Sequence, residues 1–144
     1  MAEFKYAQGR IAESLQFIMA ELKEFEQDYS LKSRTDYLED RKLQKLMDRT
    51  VENVLTALIE VCGTLLTQEG ISTESYVQVL SASAKKLGFS NEEQENLAKL
   101  ALQRNRLAHR YLNFRWEAIT MFATQRALIK KLLEKILERE EKAK

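Results

Sequence analysis

The 144-residue chain has no proline, only four glycines, and one each of cysteine, histidine and tryptophan. Without proline, and with few glycines, little interrupts a helix; the 31% charged and 44% hydrophobic composition then points to an all-α protein. The lone Cys62 excludes an internal disulfide and any cysteine-built zinc site, and makes the cytoplasm the default expectation. No apolar run approaches the ~20 residues of a bilayer span, so no transmembrane helix is expected. The opening MAEFKYAQGR lacks an apolar stretch after a basic start, so no secretory signal is expected either. Charge of one sign is also missing. With 23 basic and 22 acidic residues, a protein that coats nucleic acid is disfavoured, and any such site must be a local patch. The hydrophobic content excludes a disordered chain, and the length suits one domain, residues 1–144.

What is present is helical periodicity. Ile11, Leu15, Ile18, Leu22 and Phe25 recur in steps of three and four, predicting a helix over residues 3–28, followed by a connection over 29–35. Leu43, Leu46, Met47, Val51, Val54, Leu55, Leu58, Ile59, Cys62, Leu65 and Leu66 form a pattern wider than one stripe. This predicts a central helix ending at Gly70, where glycine suits a left-handed terminus. A shorter helix is expected over 73–87, closed by Gly88. Ser90 and Glu93 have capping-box spacing and open a fourth helix carrying Leu97, Leu100, Ala101 and Leu107. Asn113 could cap a last helix from about Phe114 to Leu137, with a frayed charged tail at about 138–144. The predicted architecture is a four- to five-helix bundle.

Charge is evenly mixed except over residues 97–116. There, Lys99, Arg104, Arg106, Arg110 and Arg115 occur with no acid, around the only histidine, His109, and with Tyr111, Phe114 and Trp116 interleaved. Arginine forks bind phosphate and aromatics stack on unpaired bases, so the composition suits single-stranded RNA. The alternative is a solvated helix face with Phe114 and Trp116 in the core. Elsewhere candidates are few. Cys62 falls on an apolar face, as an inert core thiol would. The pairs Glu39-Asp40 and Glu92-Glu93 sit near helix starts, where acids favour the helix dipole.

The run Arg104-Asn105-Arg106-Leu107-Ala108-His109-Arg110-Tyr111 resembles the hallmark of the HEPN superfamily and, within it, of the HepT-like toxins: arginine, a polar residue, three more, histidine, any residue, tyrosine. The resemblance spans about residues 5–138, including the long second helix. It implies an up-and-down helical bundle, a homodimer whose motifs line one cleft, and metal-independent RNA cleavage with no cofactor. Histidine titrates near ~6.5 and can take a proton from a ribose 2′-OH, and an arginine can stabilise the charge gathering on phosphorus. His109 is therefore expected as general base or acid and Arg104 as transition-state stabiliser. Asn105 is expected to orient the histidine or a phosphate, with Arg106, Arg110 and Arg115 contacting RNA. In the HepT-like family the tyrosine matched by Tyr111 receives AMP from an MntA-type nucleotidyltransferase antitoxin. Such a phosphate would fill the substrate-phosphate site.

The spacing sets a geometric condition. Residues five apart on a straight helix differ by roughly 140°, so Arg104 and His109 would not share a face. Either the helix ends or bends near His109, or a second subunit completes the site; the resemblance implies the second. Tyr111 in turn calls for a helix end just after the histidine. Two other functional classes remain open: a non-catalytic helical module that binds a separate nucleotidyltransferase, and a plain homodimeric scaffold.

Overall fold

In the computed structural model, residues 2–142 are described, with side chains from Arg10 onward. Met1 and residues 143–144, the end of the expected tail, lie outside them. Seven α-helices follow in order: α1 (Ala2–Glu24), α2 (Arg34–Glu39), α3 (Arg41–Gln68), α4 (Tyr76–Lys86), α5 (Asn91–Arg106), α6 (Leu112–Thr124) and α7 (Arg126–Lys142). The all-helical bundle expected from the sequence is present.

α3 is the axis. It packs against α1, α2, α4, α5 and α6, and its wide apolar pattern is explained by burial on several sides, from Met47 to Leu66. By length and hydropathy it would reach across a bilayer, unlike the expectation from unbroken apolar runs, but 61% of its most apolar stretch is buried inside the protein. The core of this bundle accounts for that hydropathy. The α1 stripe also holds, with Ile11, Leu15, Ile18, Leu22 and Phe25 all buried. α3 and α4 both end as sequence chemistry requires. Gly70 (φ 71°) and Gly88 (φ 85°) are left-handed, and Ile71 N–H to Leu66 and Phe89 N–H to Ala84 close the terminal rings. The Ser90–Glu93 capping box is formed in both directions.

Several expected element boundaries need correction. The first helix ends in a π-helical turn, Phe25–Tyr29, which buries both aromatics. The connection expected over 29–35 is present but shorter, residues 30–33, and a short helix not expected from the periodicity, α2, follows it, opened by a second capping box, Ser33 with Asp36. Asn113 is no cap: Tyr111 holds that position, while Asn113 lies inside α6 and accepts a hydrogen bond from Arg34. The expected last helix is two, because the chain breaks at Gln125 between α6 and α7. Its end is helical through Lys142 rather than frayed from 138, with Arg139 paired to Glu69 at the end of α3.

Candidate functional site

The site is organised by a helix end. α5 stops at Arg106, where Leu107 N–H still bonds the Gln103 carbonyl at 3.3 Å. Ala108 and His109 N–H then reach only three residues back, to Asn105 and Arg106. α6 begins at Leu112. The motif therefore straddles a chain reversal: Arg104 is in the last turn of α5, His109 is in the bend, and Tyr111 is the residue before α6. This meets the condition that the helix end near His109, with one difference. The break precedes the histidine instead of following it.

Arg104 is half-buried and held from two directions. Its Nε donates to Thr56 Oγ1 of α3 at 3.0 Å, and its guanidinium carbon lies 5.1 Å from the centre of the Tyr76 ring, at the start of α4. Arg104 and Thr56 both line an open groove of about 440 Å³ between α1 and α3, with Glu13, Phe17, Arg49 and Glu60 among its other walls. Carboxylates outnumber guanidiniums along this groove, three (Glu13, Glu52, Glu60) to two (Arg49, Arg104). The groove as a whole is therefore not a cationic track, and its basic groups are Arg49 and Arg104.

His109 and Tyr111 form a second cluster around Phe114. Both rings meet Phe114 nearly edge-on, His109 at 5.7 Å and 76°, Tyr111 at 5.8 Å and 83°. Arg110 stacks over Tyr111, 5.4 Å from the ring centre. Tyr111 is 55% and Phe114 43% exposed, so these aromatics form a surface platform, while Trp116 is half-buried beside the core. Phe114 was legible only as one of several interleaved aromatics; its place between His109 and Tyr111 comes from the reversal. Asn105 is exposed near the end of α5.

The remaining cations are differently placed. Arg106 pairs with Glu117 at 3.0 Å on the exposed surface of α5 and α6. Arg115, expected as an RNA contact, is instead mostly buried and bonds Asp48 of α3 at 2.7 Å. Asp48 also accepts from the Tyr37 hydroxyl of α2 at 2.7 Å. This network anchors the first turn of α6 and so the loop that carries His109. Burial raises the Asp48 carboxyl above its ordinary range, outweighing the hydrogen bonds from Tyr37 and Arg115 that lower it. Burial, reinforced by Asp48, likewise raises the Tyr37 phenol.

Burial pushes the Cys62 thiol up to about 12, which fits the inert core role. Among the described residues, no three histidine, cysteine, aspartate or glutamate side chains gather as metal ligands would.

The geometry offers a guanidinium held on α5 and an imidazole and a phenol presented together at its end. No curated protein matches the chain. A family model described as ribonuclease HepT-like matches residues 15–139, and on that match, covering most of the chain, this protein belongs to the ribonuclease HepT-like family.

Proposed function

We propose that this protein is a metal-independent endoribonuclease toxin, working as a homodimer and neutralised by a nucleotidyltransferase antitoxin that modifies Tyr111. The observation that carries this reading is the helix break inside the motif. It frees an exposed imidazole three residues beyond the end of the helix that holds Arg104.

His109 takes the proton of a ribose 2′-OH, whose oxygen attacks the adjacent phosphorus. The bond from phosphorus to the 5′ oxygen of the next nucleotide breaks, and that oxygen takes a proton from solvent water, while His109 later returns its proton to solvent. The products are a 2′,3′-cyclic phosphate and a 5′-hydroxyl. Arg104 stabilises charge on the phosphoryl oxygens as the five-coordinate transition state forms. Asn105 hydrogen-bonds the histidine or a phosphate. Arg110 sits beside the aromatic platform, where it can meet the RNA backbone. Arg106 can exchange Glu117 for a phosphate, because an exposed ion pair holds it by only about 0–1 kcal/mol. In the proposed homodimer a second copy brings its own motif to the same cleft.

The test is cleavage of RNA by the purified protein in excess EDTA. Activity persists, and the 3′ ends are cyclic phosphate or its hydrolysis product. Strict dependence on magnesium or manganese refutes the mechanism. An inert protein that still binds a nucleotidyltransferase replaces it with the non-catalytic module.

Tyr111 gives a separate prediction. Its ring is exposed and packs on the same Phe114 as His109, which makes its hydroxyl open to modification in the neighbourhood of the motif. The cognate nucleotidyltransferase with ATP stops cleavage by the wild type. Tyr111→Phe keeps the ring contact, retains most cleavage and escapes inactivation; mass spectrometry finds AMP on the wild type alone. Equal modification of both proteins removes Tyr111 as the acceptor.

A further inference from the structure

We propose that Thr56 and Tyr76 are positioning residues that fix the Arg104 guanidinium for two-pronged capture of a phosphodiester. This rests on the nuclease reading above and names two residues outside the motif. An arginine side chain carries five N–H donors, one on Nε and four on Nη1 and Nη2. Thr56 Oγ1 accepts the Nε proton at 3.0 Å, which fixes the group within its plane. Tyr76 stacks at 5.1 Å from the guanidinium carbon, which fixes the tilt of that plane. The two contacts come from different helices, α3 and α4, and together they remove the freedom a long side chain otherwise has. The donor they consume is the inner one. The outer fork, the edge that pairs with two phosphate oxygens at once, remains for the ligand.

The surroundings make this positioning consequential. Arg104 lines a groove whose walls include Glu52 and Glu60. A free guanidinium there would be drawn to those carboxylates and lost to substrate. Thr56 occupies Nε with a neutral acceptor, and Tyr76 covers one face with a neutral ring, so the charge is held without being neutralised. Tyr76 is itself 54% exposed and lies outside the buried core, with Arg104 over its ring.

The test uses four variants of the full chain: Thr56→Val, which keeps shape and removes the acceptor, Thr56→Ser, which restores it, Tyr76→Leu, and Tyr76→Phe, which restores the ring. In RNA cleavage, Thr56→Val and Tyr76→Leu lower kcat by about 10- to 100-fold with KM nearly unchanged, as misplacement of a charge-stabilising group requires, and the conservative partners recover it. A second reading is independent of catalysis. The Arg104 Nε–H resonance, identified by its loss in Arg104→Lys, is sharp in wild type and Thr56→Ser and broadened by exchange in Thr56→Val. The Arg104 δ-protons lose their ring-current shift in Tyr76→Leu, an exposed position where folding is not at issue. An unchanged Nε–H signal in Thr56→Val together with unchanged δ-proton shifts in Tyr76→Leu overturns the positioning role. A wild type that cleaves no RNA overturns the nuclease reading, while the resonances still decide the positioning.

Discussion

His109→Ala is expected to lower RNA cleavage by about 10²–10⁴-fold, the range that a lost general acid or base commands. Arg104→Ala is expected to cost about 10²–10³-fold, as when one donor to a developing oxyanion is removed. Both proteins should fold. His109 is exposed in a bend and its substitution opens no cavity. Arg104 gives up one hydrogen bond, to Thr56, and one ring contact, to Tyr76. Circular dichroism and thermal melts alongside the kinetics separate lost chemistry from lost structure. The two variants also report on the composite cleft. On the homodimer proposed above, variants mixed after partial denaturation and refolding are expected to give heterodimers with one arginine and one histidine that regain part of the activity neither has alone; no regain of activity counts against a shared cleft. Cleavage by His109→Ala at the wild-type rate removes the catalytic assignment outright.

The second large effect is on stability. Arg115→Ala leaves the Asp48 carboxylate buried with Tyr37 as its remaining hydrogen-bond donor, and breaking a buried pair this way costs about 3–5 kcal/mol. For a domain of this size the loss lowers Tm by on the order of 10 °C. The pH dependence follows from the direction of the Asp48 shift. Its folded carboxyl is already above the ordinary range, and removing Arg115 raises it further. A raised carboxyl destabilises the fold at pH values above it and is relieved by protonation. The gap in Tm between wild type and Arg115→Ala therefore narrows as pH falls from 7 toward 5. A gap that is constant with pH, or a loss below about 1 kcal/mol, refutes the buried-pair account.

Arg115 also shows where local sequence stops being informative. It stood in a run of cations without acids, and its acid is 67 residues upstream on another helix. Thr56 and Tyr76 are hidden for the same reason, since nothing within their own neighbourhoods points to Arg104. The motif itself was legible because its parts are consecutive. The fold was legible where stripes were long: every member of the α1 stripe is buried, and the glycines at 70 and 88 sit where the termini needed them. α2 was missed because six residues are too few for a period and only Tyr37 is buried, although Ser33 and Asp36 already had the spacing of a cap. The break at Gln125 was missed because no glycine or proline marks it and buried positions continue across it, from Phe122 to Ile129.

The end of α5 at Arg106 gives the two halves of the motif different rules for insertion and deletion. Upstream, position is a matter of phase. One residue added within α5 just before the arginine rotates it by about 100° relative to the preceding helix, off the α3 and α4 contacts that hold it. Downstream, position is a matter of reach. One residue added after Leu107 lengthens a tether and leaves the arginine's phase untouched. The arginine can therefore occupy only discrete settings, whereas the histidine can be moved by small increments, and changes in the length of this segment are tolerated on the histidine's side alone.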